Sequence, residues 1–182
     1  MIDVRVGLGQ DTHAFAQGGD RPLILAGVVI PGGPPLAADS DGDLVLHALT
    51  RALDTILGSE HLGAAAERKS SAGVVDSRAY LAPALAQLAA ERFEITQVAI
   101  MLEAHWPRLR EHFRAMRDSL AEILSVSASR VGIAAETGDR LSDCARGQGI
   151  RALVLVTVVR AASARGRAPT SPRSGPRRSP RR

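Results

Sequence analysis

The sequence predicts an α/β sandwich (α+β): a mixed sheet with helices on one face. Three observations carry that expectation. Segments with strand-like alternation and segments with helical spacing interleave along the chain. The last strand segment, RALVLVTVV at 151–159, is apolar on both faces, which argues for a strand covered on both sides. Finally, 45% of residues are hydrophobic but only 3% aromatic, so aliphatic side chains must build the core.

The elements follow in order. IDVRVGL at 2–8 alternates as a strand, and residues 9–22 read as a polar loop. LILAGVVI at 23–30 is a strand region broken by Gly27 and stopped by PGGPP at 31–35. SDGDLVLHALTRALDTILG at 40–58 is a helix, with Leu46, Leu49, Leu53, Ile56 and Leu57 at helical spacing. Ser40 with Asp43 three residues later reads as its capping pair, and Gly58 as its end. Residues 59–75 read as a loop and 76–92 as a helix that Pro83 kinks or delays. FEITQVAIMLEAH at 93–105 is a strand. Pro107 opens a further helix carried by Leu109, Phe113, Met116, Leu120 and Ile123. Residues 126–135 and 149–160 are the last two strands.

Residues 1–160 form one expected domain, and 161–182, almost entirely Arg, Pro, Ser and Gly, an expected disordered tail. Seven arginines lie in that tail, so residues 1–160 carry a net −3 against +4 for the whole chain. A nucleic-acid partner is not expected, because it would rest on the tail alone, with no zinc-finger spacing or aromatic-rich strand behind it. No membrane partner is expected either: no segment reaches the roughly 18 apolar residues a spanning helix needs. The start of the chain lacks a signal-peptide pattern. The single Cys144 excludes an internal disulfide framework. A cytoplasmic location is the expectation.

Asp11-Thr12-His13 sets two ligand-type side chains two residues apart, on the same side of an extended backbone. His47 sits in the first half of the predicted helix, with Asp43 one turn before it. One carboxylate and two imidazoles suit a zinc site with an open position. On spacing alone the plainer alternative stands beside it: Asp11 caps a turn and His47 packs at a helix edge. Asp39, Asp41 and Asp43 show no calcium-loop pattern, so helix capping is their simpler role.

RVGLGQDTHAF at 5–15, PLILAGVVIP at 22–31 and SDGDLVLHALTRALDTILG at 40–58 resemble, in that order, segments of the 2-C-methyl-D-erythritol 2,4-cyclodiphosphate synthase family. HWPRL at 105–109, MRDSLA at 116–121 and ARGQGI at 145–150 resemble its later segments. The resemblance implies a homotrimer with active sites between subunits. It implies a cytidine diphosphate-linked substrate that cyclises and releases CMP in non-mevalonate isoprenoid biosynthesis, a phosphorus–oxygen lyase reaction. It also implies one zinc and a second ion, magnesium or manganese. By residue, it assigns zinc to Asp11, His13 and His47 and the second ion to Asp139. Substrate contacts fall on Ser40, Asp43, Glu60, Thr137 and Arg140. Arg146 is the channel arginine, and His105 a nucleotide contact. The sequence departs from the family at Asp39, where a histidine is usual, at Arg51, where an aspartate is usual, and through the loop 59–73. Those departures sustain an alternative: a catalytically inactive or regulatory zinc-binding paralogue that binds a different phosphorylated ligand, or none.

Overall fold

A computed structural model of the protein describes residues 2–63 and 72–160. The tail 161–182, expected to be disordered, and residues 64–71 of the expected loop lie outside the described residues.

Among the described residues six strands and three helices follow one another: β1 (Asp3–Ala14), β2 (Leu23–Leu25), β3 (Val28–Ile30), α1 (Leu44–Leu57), α2 (Arg78–Ala90), β4 (Glu94–Glu103), α3 (Phe113–Leu124), β5 (Val131–Glu136) and β6 (Gly149–Arg160). Four strands form one mixed sheet in the order β1-β6-β4-β5, while β2 and β3 make a separate hairpin. β6 runs antiparallel to both its neighbours, and β4 and β5 are parallel. One sheet face carries Val98, Ile100, Leu102, Val154, Val156 and Val158, buried in a core shared with all three helices. On the other face Val4, Val6 and Leu8 are more than half exposed, and Met101, Leu153 and Leu155 also meet solvent. The strand expected to be covered on both sides is therefore covered on one side within a single chain.

Four expected boundaries need correction. β1 does not stop at residue 8 but pairs with β6 without interruption as far as Ala14 opposite Gly149. Its polar end, Gln10 to His13, disguises a strand that its partner specifies. The helix predicted from Ser40 begins at Leu44 instead. Pro107 does not open a helix: the Trp106–Pro107 bond is cis, and α3 starts at Phe113 after a short 3-10 turn at Arg110–His112. β5 begins at Val131 rather than 126, because Ala128–Arg130 forms another 3-10 turn. α2 runs through Pro83.

The late start of α1 has a local cause. Gly42 adopts a left-handed φ of 77°, and Asp43 becomes the N-cap, accepting at Oδ1 from the backbone N–H groups of Val45 and Leu46. The same carboxylate accepts from Ala26 N–H at 2.9 Å and Gly27 N–H at 2.5 Å. It thus ties the tip of the β2–β3 hairpin to the start of α1. Burial pushes the Asp43 carboxyl up to about 6, while the N–H donors pull it down. Ser40, expected to cap the helix, accepts from Gly42 N–H instead.

The packing that positions the site is glycine-based. On β1, Gly7 and Gly9 face α1, and a Cβ at either would overlap helix backbone: the Ala52 carbonyl oxygen from Gly7 and the Ala48 carbonyl oxygen from Gly9. Only hydrogen at these positions lets the helix lie against the strand. The Gly9→Ala variant is expected to lose about 3 kcal/mol of stability in urea unfolding, the upper end for overpacking because the obstacle is backbone rather than a movable side chain. A loss below about 0.5 kcal/mol, within the range of ordinary surface changes, would mean the helix has room to shift.

Candidate metal centre

Because α1 lies on Gly7 and Gly9, its first turns reach the far end of β1. Asp11 and His13 point to the helix side of that strand, as their register opposite Ala152 and Ile150 requires. His47, on the fourth residue of α1, meets them there. Asp11 Oδ2 lies 3.2 Å from His13 Nε2 and 3.3 Å from His47 Nδ1. The edge of a tetrahedron with metal–ligand bonds of about 2.05 Å is about 3.3 Å. Asp11 Oδ2 and His13 Nε2 are buried and have no hydrogen-bond partner, and the three candidate ligand atoms all lie within 4.8 Å of one another. Asp11, His13 and His47 thus form a potential metal-binding cluster. Its donor set fits an ion with a fourth position left for a ligand.

The cluster is coupled electrostatically. Burial alone would raise the Asp11 carboxyl, but contact with His13 and His47 outweighs it and holds the group well below the usual carboxylate range. The contact with Asp11 raises His13, with burial opposing. His13 Nδ1 lies 3.0 Å from the Ala37 carbonyl oxygen, which can only accept, so Nδ1–H donates and the Nε2 lone pair faces the cluster. Arg51, one turn beyond His47, sets its Nε 3.9 Å from Asp11 Oδ1 with the side chain half exposed.

The other expected site residues divide by location. Ser40 is buried and Asp43 fully so, with both Asp43 oxygens occupied by backbone donors. Through these contacts both residues order the segment leading to His47. Glu60 lines an open cavity of about 390 Å³ with Gly9, Gln10, Arg51, Asp54 and Thr55. His61 beside it is held by Asp54, 2.5 Å from Nδ1. Asp39 is exposed, but the Arg21 guanidinium donates to the carbonyls of Ala38 and Ser40 on either side of it.

His105 and Thr137 line a second open cavity of about 720 Å³ with Ala104, Trp106, Pro107 and Glu136. Asp139 and Arg140 sit exposed in the 3-10 turn that follows, both with left-handed φ. Arg146 pairs with Asp143 at 2.6 Å and donates to the Arg140 carbonyl. Sequence reasoning passed over Glu103, which anchors this loop. The Ser142 hydroxyl donates to one of its oxygens and Arg151 lies 3.3 Å from the other. Gly138 packs so closely on Glu103 that a Cβ would reach 2.5 Å from its oxygen. An acid at the end of a predicted apolar strand was the available signal.

The metal cluster and this second cavity lie at opposite edges of the sheet. β1 and β5 are separated by β6 and β4, three strand spacings or about 14 Å.

Comparison with known proteins gives one consistent result. Residues 4–159 match the YgbB family. Over 157 residues the chain is 38% identical to the 2-C-methyl-D-erythritol 2,4-cyclodiphosphate synthase of Chlamydia felis, covering 85% of this chain and 89% of that one. It is 40% identical over 158 residues to the protein of the same name from Alkalilimnicola ehrlichii, covering 86% and 96%. A solved structure of a 2C-methyl-D-erythritol-2,4-cyclodiphosphate synthase superposes with a TM-score of 0.75 at 31% identity, over 85% of this chain and 99% of that one.

Removing one of three converging donors should disable the centre. His47→Ala is expected to weaken binding of a titrated divalent transition metal by at least about 100-fold, read by calorimetry on the full chain. Unchanged affinity in both His13→Ala and His47→Ala would refute the assignment.

Proposed function

The chain belongs to the 2-C-methyl-D-erythritol 2,4-cyclodiphosphate synthase (YgbB) family, and from that premise we propose that it catalyses this family's cyclisation, converting 4-diphosphocytidyl-2-C-methyl-D-erythritol 2-phosphate to the 2,4-cyclodiphosphate with release of CMP. The observation that carries the reading is the convergence of Asp11 Oδ2, His13 Nε2 and His47 Nδ1 on one point. Zinc is the ion we assign to these donors, and it would supply a Lewis acid that draws charge from a phosphate oxygen.

In this reading an oxygen of the substrate's 2-phosphate attacks the β-phosphorus, and the bond from that phosphorus to the CMP oxygen breaks. The chain's task is orientation and charge neutralisation rather than covalent chemistry. Arg51, half exposed beside the cluster, and Arg21, beside Asp39, bring positive charge to the side where phosphates must approach. The cavity at His105 and Thr137 suits the nucleotide, with Trp106 offering an exposed aromatic surface. Arg140 and Thr137 are the proposed phosphate contacts on that side. Asp139 is the proposed ligand for magnesium or manganese. A single exposed carboxylate suits an ion that takes one or two carboxylates and otherwise substrate phosphates and water. Glu60, at the rim of the smaller cavity, is the proposed contact for substrate hydroxyls.

The separation of the two half-sites across the sheet supports a shared site, in which the metal cluster of one chain meets the nucleotide cavity of another. The uncovered face bearing Val4, Val6, Leu8, Met101, Leu153 and Leu155 supports the same assembly. We assign it as the contact of a homotrimer, with Arg146 toward the axis. No helix among the described residues is long and apolar enough to cross a membrane, and a cytoplasmic location belongs to the same reading.

The exposed Asp39 carboxylate, a negative charge where a phosphate must approach, favours the competing reading of a non-catalytic paralogue. Phosphorus NMR separates the two. With substrate, zinc and magnesium, cyclic diphosphate and CMP are expected to appear together in equal amounts. No turnover with zinc fully bound would establish the non-catalytic reading. Sedimentation of the full chain is expected to give a species of three chains, and a monomer at micromolar concentration would overturn the shared site.

A further inference from the structure

Ser77 occupies the N-cap position of α2, a place where serine normally accepts from the helix's first N–H groups. Here its side chain makes no capping bond. The hydroxyl is fully buried and turned the other way, donating to Asp41 Oδ1 and lying 3.1 Å from His47 Nε2. Asp41 is itself tied down: its oxygens also accept from the backbone N–H groups of Ser77 and Asp43, each at 3.1 Å.

The proton inventory of this chain of contacts leaves one arrangement. A carboxylate only accepts, and a serine hydroxyl carries one proton. Asp41 takes that proton's hydrogen bond. The Ser77 oxygen can therefore meet His47 only as an acceptor, so His47 Nε2 must carry a hydrogen and donate it. In the neutral ring the lone pair then sits on Nδ1, the nitrogen 3.3 Å from Asp11 Oδ2 within the cluster. Tyr80 packs edge-on against the same ring at 5.6 Å between centroids and limits its rotation.

We propose that Ser77, held by Asp41, is a positioning residue of the metal centre: it fixes His47 in the Nε2–H tautomer and presents Nδ1 to the ion. The proposal rests on the metal-binding reading of Asp11, His13 and His47. It also accounts for a contrast between the two histidines. His13 is set by a main-chain carbonyl and binds through Nε2, whereas His47 is set by a side-chain relay and binds through Nδ1. The relay joins the Ser40–Asp43 turn, the N-terminus of α2 and the metal ligand on α1. A helix-cap position thereby serves the metal rather than the helix.

Zinc affinity of the full chain, measured by competition with a chromophoric chelator, tests the relay. Ser77→Ala is expected to bind zinc about 10- to 100-fold more weakly than wild type, the usual cost of losing a ligand's outer partner. Asp41→Asn is expected to weaken it too, since an amide can donate to Ser77 Oγ and turn the hydroxyl proton toward His47. Wild-type protein that binds no zinc would sink the metal reading itself. Tight wild-type binding with Ser77→Ala within threefold of it would overturn the relay alone. A second readout does not depend on either variant folding: long-range proton–nitrogen correlation on the full chain after zinc removal by chelator. His47 is expected to carry its proton on Nε2. Protonation on Nδ1 in the neutral ring would overturn the proposal.

Discussion

The structure depends on the contact between a helix backbone and a strand backbone. Gly7 and Gly9 leave α1 no side chain to ride over, so the helix settles directly on β1. Helices and sheets normally keep apart by the bulk of the side chains between them, a core-sized layer of about 10 Å. Removing that layer at two positions brings the first turns of α1 within reach of the strand's end. His47 can then share a point with Asp11 and His13, and Arg51 can stand beside them. The contact is reinforced at its edges. Thr55 Oγ1 accepts from Leu8 N–H on the unpaired edge of β1, and Arg5 donates to the Ile56 carbonyl near the end of the helix.

A second constraint fixes the helix along its own axis. Asp43 gathers four N–H donors, two from α1 and two from the β2–β3 hairpin. Leaving such buried donors unpaired would cost about 1–3 kcal/mol each, so rotation or sliding of α1 is resisted where His47 needs a fixed position. Asp41, two residues earlier, does the same for the ring of His47 through Ser77. The Ser-Asp-Gly-Asp run at 40–43 thus acts as a bracket. Its side chains bond to backbone N–H groups and to Ser77, and these contacts hold the start of α1 and the ring of His47.

The cluster of Asp11, His13 and His47 was legible in part from local signatures, which left turn capping and helix-edge packing open until the family resemblance singled these three residues out. An Asp-x-His in extended backbone projects both groups to one side, and a histidine near the start of an amphipathic helix lies at its exposed rim. The layered fold was legible for the same reason, in the spacing of Leu46, Leu49 and Leu53 and the alternation around Val154 and Val156. What escaped was non-local. Nothing near Gln10 marks the extension of β1 to Ala14, which comes from its pairing with β6. The start of α1 was misplaced by four residues because Ser40 and Asp43 both read as caps, and only the hairpin tip at Ala26 and Gly27 decides between them. Ser77 was invisible as a functional residue because its partners, Asp41 and His47, lie 36 and 30 positions away. Glu103 was hidden by its place at the end of an apolar strand, where its partners Ser142 and Arg151 come from other parts of the chain.

The central claim is that the glycine-permitted approach of α1 to β1 assembles one metal centre from Asp11, His13 and His47. Anomalous scattering from crystals of the full chain grown with zinc, recorded across the zinc absorption edge, addresses it most directly. The account predicts one peak per chain, about 2.0–2.2 Å from Asp11 Oδ2, His13 Nε2 and His47 Nδ1 together. A peak bound elsewhere, or one at Asp11 and His13 from which His47 stands apart, would contradict it.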